Sequence, residues 1–264
     1  MSLLKSLCSA FLMYSRIPVP QVEWKEENRR YSLCFFPLIG AVIAALIMLW
    51  WKLCGFLSAG SLFFAVGCTV IPVLVTGGIH IDGFCDVNDA LASCLPKEKM
   101  LEIMKDPHIG SFALIKLCIY FLLQTALLSE VSSFSLLIIC TLGFVQSRAW
   151  SGLAAVMFPN ARGEGSLQNF SNPAHKKTAI IVEIIYLLIS SAVMIVLNPI
   201  CGTAAFLCGE AVFIYYRIFS VRRFGGITGD LAGYFLQLCE IWIIAGAVIA
   251  NLFNTNFCLI LITN

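Results

Sequence analysis

Charge is what this sequence has least of. Asp, Glu, Lys and Arg make up 12% of its 264 residues, against 59% hydrophobic residues and a mean hydropathy of +0.90. That balance excludes an ordinary soluble domain and makes lipid the solvent for most of the chain. No C-x-x-C pair occurs among the 12 cysteines, which are scattered singly from Cys8 to Cys258. Without pairing they give neither a metal cluster nor a disulfide framework, and they read as small core residues that lipid tolerates. The apolar runs do not alternate, so helices rather than barrel strands must satisfy the backbone in the bilayer. A short apolar stretch after Lys5 is followed by Arg16 and two prolines with no small-residue cleavage site, so no signal peptide is expected.

What is present is a series of long apolar runs. Seven candidate spans fall at about 31–53, 57–78, 111–129, 134–158, 178–198, 200–219 and 232–253, each near the ~20 residues that a hydrocarbon core requires. Before them, Leu3, Leu4, Leu7, Phe11 and Tyr14 recur at helical spacing, which predicts an amphipathic helix lying on the membrane surface. The fold class is therefore all-α: a single polytopic integral membrane domain over residues 1–264. Asn198-Pro199 marks a tight turn between the fifth and sixth spans, since proline restricts itself and its predecessor. Fourteen of the 17 basic residues lie before the first span, in 79–110, in 159–177 or in 217–223. Alternate connections carry only Lys52, so the positive-inside rule puts the N-terminus and these loops on the cytoplasmic side.

The longest of these loops opens Gly77-Gly78-Ile79-His80-Ile81-Asp82-Gly83-Phe84-Cys85-Asp86-Val87-Asn88-Asp89. On a helix, Asp82, Asp86 and Asp89 share one face within about 60°. Three like charges there repel unless a cation lies between them. Mg2+ prefers oxygen ligands and is often held by one or two carboxylates together with substrate phosphates, so this cluster suits it; the plainer reading is a solvated acidic helix end. Lys105 can neutralise a phosphate, while Asp106 either binds metal or caps the next helix. His80 and His108 are candidate general bases. Arg148 lies inside the fourth span, where an unpaired guanidinium costs about 3 kcal/mol or more. Either it clamps an anion bidentately, or it pairs with an intramembrane acid such as Glu183, Glu210 or Glu240. The polar run Asn160-Ala161-Arg162-Gly163-Glu164-Gly165-Ser166 is either a loop able to close over a phosphate substrate or an ordinary interhelical connection. Gly225-Gly226-Ile227-x-x-Asp230 echoes Gly77-Gly78-Ile79-x-x-Asp82: either two glycine turns resemble each other by chance, or a metal-binding arrangement is duplicated with Asp230 as a fourth candidate ligand.

Taken together, the segments Ser15–Pro20, Phe36–Gly40, 77–89, 100–111, 161–165 and 225–230 resemble the cobalamin synthase, or adenosylcobinamide-GDP ribazoletransferase, family over nearly the whole chain. The long acidic motif carries most of that likeness. Three positions depart from the family pattern: Ala90 and Ala113 stand where glycine is usual, and Gln237 where glutamate is frequent, while Glu240 matches a second familiar glutamate. The resemblance implies a magnesium-dependent enzyme that joins adenosylcobinamide-GDP to α-ribazole or its 5′-phosphate and releases GMP. It places Asp82, Asp86, Asp89 and Asp230 at the metal–diphosphate site, Lys105, Arg148 and Arg162 on phosphates, and His80 or a carboxylate as base. The expected setting is a bacterial or archaeal cytoplasmic membrane, with the bilayer and the two substrates as partners and no nucleic acid. A homo-oligomer, or association with other enzymes of the pathway, stays open. Two other classes share features of the sequence: membrane prenyltransferases and CDP-alcohol phosphotransferases use aspartates on diphosphate-bound metal, and a transporter would line its path with Arg148 and Glu240.

Overall fold

The apolar runs fold as helices, and the computed structural model describes residues 2–162, 171 and 174–263, with side chains for 3–162, 171 and 174–255. In chain order these are α1 Ser2–Tyr14, α2 Phe36–Phe56, α3 Ser61–Thr76, α4 Ile79–Ala92, α5 Lys97–Ile103, α6 Ser111–Ser129, α7 Phe134–Met157, α8 Lys176–Leu197, α9 Pro199–Phe224 and α10 Gly229–Thr263. No strand occurs among the described residues, only an isolated bridge between Asn160 and Ile227. Helix α7 is the core: it is buried along most of its length and packs against α2, α8, α9 and α10. Helices α6, α8 and α9 keep most of their apolar surface exposed, as lipid-facing helices do. The described cysteines form no disulfide, and most are buried among apolar neighbours.

Six helices are long and apolar enough to cross a membrane: α2 with its lead-in turns from Glu26, α6, α7, α8, α9, and α10 through Thr255. The seventh crossing expected at 57–78 is different. Helix α3 has only 16 residues, about 24 Å at 1.5 Å each. The chain then bends by 95° into α4, so this crossing exists only if the bent pair counts as one span. The bend lies at Gly77 and Gly78, whose φ values of +66° and +80° fall in the left-handed region that residues with a Cβ avoid.

Two other expectations are refined. The bundle-facing side of α1 is made by Ser6, Ser9 and Ala10, all fully buried, whereas Leu3 and Leu4 are 58% and 68% exposed. Small residues let this helix lie close against its neighbours, and the leucines are left facing outward. The hairpin at Asn198-Pro199 forms as expected: the Asn198 side chain accepts from the N–H groups of Ile200 at 3.1 Å and Cys201 at 3.0 Å, capping α9.

Candidate active site

The site is built where two glycine-broken helices meet. Helix α3 stops at Gly77, α4 restarts at Ile79, and Asp82 falls in its first turn. At the other end of the chain α9 stops at Gly225, and Thr228 Oγ1 accepts the Leu231 N–H at 3.2 Å as α10 begins, with Asp230 in its first turn. Helices α4 and α10 then pack backbone to backbone. A methyl added at Gly83 would sit 2.6 Å from the Asp230 carbonyl oxygen, and one added at Gly233 would sit 2.8 Å from that of His80. Phe84 and Tyr234 stack beside the contact with ring centroids 5.7 Å apart. The echo read in the sequence is thus a structural one, and it brings Asp230 against Asp82.

Asp82, Asp86 and Asp230 line a cleft of about 820 Å³ together with Arg16, Lys105 and His108. Asp86 feels the like charges of Asp82, Asp230 and Asp89, with Arg162 opposing them. Arg162 donates to Asp230 Oδ2 at 3.1 Å and to the Leu101 carbonyl at 3.0 Å. Its segment is clipped to the loop before α10: Ala161 N–H donates to the Ile227 carbonyl at 3.0 Å, and Ile227 N–H to the Pro159 carbonyl at 2.8 Å. Arg162 therefore orders a carboxylate of the cleft. Gly163, Glu164, Gly165 and Ser166 lie outside the described residues.

No group of three or more His, Cys, Asp or Glu side chains among the described residues is arranged to hold a metal on its own. The donors still suit magnesium, which keeps waters and takes phosphate oxygens, so that a few converging carboxylates suffice.

Asp89 is turned to another task. Gly110 N–H donates to its Oδ2 at 2.5 Å and Ala113 N–H to its Oδ1 at 3.0 Å, so both oxygens serve the start of α6, and Asp89 does not line the cleft. The first amides of a helix have no partner within it, and a carboxylate there is favourable. Asp106, read as either a metal ligand or the cap of this helix, instead closes its own turn: it accepts the His108 N–H at 3.0 Å and meets His108 Nδ1 at 2.7 Å. These contacts hold the Asp106 carboxyl below the usual carboxylate range. Asp89→Ala is therefore expected to cost about 1 kcal/mol in detergent-solubilised unfolding. It should leave the magnesium concentration for half-maximal turnover unchanged; a large rise in that concentration would return Asp89 to the metal.

Arg148 is not brought to the cleft. It is fully buried and pairs with Glu240 at 2.7 Å, while the same Nη1 donates to the Phe144 carbonyl at 2.9 Å. Of the two readings of this residue, the ion pair is the one the geometry provides, and Glu240 is spent on it. Glu183 is also fully buried, with neither oxygen partnered among the described residues. His80 is 5% exposed beside the rings of Tyr14 and Phe36, at 6.5 Å and 5.9 Å, and its Nε2 has no hydrogen-bond partner. It lines a smaller void of about 90 Å³ that also touches Asp82, Asp230 and Ser151.

Arg16 was missed as a site residue. Its N–H donates to the Val75 carbonyl at 2.8 Å, and its side chain lies across the Gly77 turn, where an added methyl would meet its Cγ and Nε at 2.5 Å. Only the basic residue just after α1 hinted at it, and nothing local ties that residue to a turn so far along the chain.

Residues 6–248 match the sequence model of a family described as cobalamin-5-phosphate synthase. The chain belongs to that family. A protein of Lachnoclostridium phytofermentans named adenosylcobinamide-GDP ribazoletransferase is 45% identical over 95% of this chain and 96% of its own length. Proteins of the same name from Desulfitobacterium hafniense and Clostridium perfringens are each 31% identical, covering 92% and 89% of this chain and 96% and 94% of their own. No solved structure matches. The match to the cobalamin-5-phosphate synthase family takes in every site residue described above, from Arg16 to Glu240. Of the positions that depart from the family pattern, Ala90 and Ala113 are fully buried, and the Ala113 backbone still serves Asp89.

Proposed function

We propose that this chain joins adenosylcobinamide-GDP to α-ribazole or its 5′-phosphate, releasing GMP and forming adenosylcobalamin or its 5′-phosphate, with magnesium held in the cleft. The names of its relatives support the reaction. The observation that carries the site is the charge of the cleft: Asp82, Asp86, Arg16 and Lys105 all line it, and none has an ion-pair partner among the described residues. Unpaired groups of both signs in one cleft fit a ligand that brings both signs itself, and a metal-bound diphosphate does so.

Asp82, Asp86 and Asp230 would hold the ion, which when bound supplies Lewis-acid stabilisation of the phosphate oxygens. Arg16 and Lys105 contact the same phosphates, and Arg162 keeps Asp230 in position. The ribazole hydroxyl oxygen attacks the phosphorus attached to cobinamide. A new P–O bond forms, the bond to the bridging oxygen breaks, and GMP departs with that electron pair. The hydroxyl proton passes to His80 Nε2 or to a carboxylate of α4. Negative charge grows on the bridging oxygen, so cations fixed beforehand stabilise the transition state more than the ground state.

The reading places the cleft at the cytoplasmic face. In support, the basic connections gather at one end of the bundle: Arg162 reaches Leu101 and Asp230, a Cβ at Gly225 would strike the Lys97 ammonium, and Arg16 covers Gly77. The decisive assay uses purified protein in detergent with both substrates and no membrane gradient. GMP and the joined corrinoid are expected in equal amounts, and chelation of magnesium is expected to stop their formation. Folded protein that releases no GMP would overturn the reading, and turnover unaffected by chelation would remove the metal.

A further inference from the structure

Away from the cleft, a groove of about 610 Å³ runs between the end of α7 and the last turns of α9. Phe213, Ile214, Ile218 and Val221 make its α9 wall, and Met157, Phe158 and Pro159 close the other side. These are apolar residues, and Ile214, Ile218 and Val221 are exposed, as expected of a surface covered by acyl chains. Two guanidiniums break the pattern. Arg217 and Arg222 both line the groove and are both exposed, and neither has an acidic partner among the described residues. Arg217 is held over the Phe158 ring at 5.7 Å from its centroid, which fixes the charge beside the apolar wall.

We propose that this groove is a binding site for one anionic phospholipid, with the headgroup phosphate on Arg217 and Arg222 and an acyl chain along the apolar wall. The two features belong together. A phosphate matches guanidinium geometry, and a basic residue near an anionic leaflet gains about 1 kcal/mol, whereas a zwitterionic headgroup carries no net charge to exploit this. Arg222 lies in the last turn of α9 and Arg217 deeper along the same helix, so the charges sit at the membrane-face end of an acyl-sized furrow. The Pro159 carbonyl, at the groove's other wall, accepts the Ile227 N–H. The occupant therefore rests on the segment that clips the loop before α10.

The test does not depend on the proposed reaction. The protein is reconstituted in nanodiscs of phosphatidylcholine containing a minor share of phosphatidylglycerol bearing a diazirine on one acyl chain, then irradiated and digested, with native mass spectrometry of retained lipid in parallel. One phosphatidylglycerol is expected to be retained over phosphatidylcholine, with crosslinks concentrated in 157–159 and 213–222. Arg217→Ala and Arg222→Ala are each expected to reduce retention roughly fivefold. Arg223→Ala, which removes an exposed charge that does not line the groove, should not reduce it. Val221→Trp keeps both charges but fills the furrow, and should also lose the lipid, so the proposal does not hang on whether the arginine variants fold. Excess glycerol 3-phosphate should fail to displace the lipid. Equal retention of the two lipids, crosslinks spread evenly around the bundle, retention unchanged in the arginine variants or Val221→Trp, or displacement by glycerol 3-phosphate would each overturn it.

Discussion

Asp82→Asn is expected to lower magnesium-dependent GMP release by more than about 100-fold while insertion and helical content stay normal. The substitution keeps the size of the side chain and removes one charged oxygen from the cleft. Disturbing even the partners that orient a metal ligand typically costs 10–100-fold, so loss of a ligand should cost more. Asp86→Asn should behave alike. Asp230→Asn is the more telling variant, because Asp230 reaches the cleft only through the packing of α10 on α4 and is also paired with Arg162. If Asp82 and Asp230 serve one metal–diphosphate unit, the double variant will be little worse than either single one. Purified variants should be compared across a magnesium titration with GMP as the readout. Near-normal turnover of Asp82→Asn at limiting magnesium sinks the site, whereas independent, multiplying defects reject only the shared unit.

The second large effect concerns stability. Arg148→Ala leaves Glu240 buried without its partner and is expected to cost about 3–5 kcal/mol in detergent. Replacing both residues by apolar ones of similar volume, Arg148→Met with Glu240→Leu, should recover most of that loss, because no unpaired charge remains. Arg148→Lys separates the two roles considered for this residue. A guanidinium that clamps substrate predicts lower turnover at unchanged stability. The observed pairing predicts a lower unfolding midpoint with turnover per folded molecule nearly unchanged. Thermal unfolding and turnover measured on the same preparations decide between them.

The elements that were legible in the sequence are those set by local pattern. The spacing of Asp82, Asp86 and Asp89 predicts one helical face, and α4 is a helix across that stretch. Asn198-Pro199 predicts a capped hairpin, and the cap is there. The GGIxxD echo pointed to Asp230. What could not be read depends on the direction and rotation of helices. Apolar periodicity carries no sign that α3 bends by 95° into α4. The oxygens of Asp89 were expected to face a metal, but the start of α6 packs against α4 and delivers two backbone donors to them. Three intramembrane acids were available to Arg148, and the rotation of α10 rather than any motif selects Glu240. Arg16 reaches the cleft because the end of α1 rests on the end of α3, a contact between segments with no shared pattern.

The meeting of Gly83 with Asp230 also sets an order of biogenesis. The ribosome delivers α4 long before α10 exists, so through most of synthesis the acidic helix has no neighbour for its glycine face and the cleft lacks one of its carboxylates. On the proposed site, catalytic competence is therefore the last property the chain acquires. A ribosome-arrested product ending after α9 should be inserted, largely helical and inactive, and supplying α10 as a separate segment should switch it on.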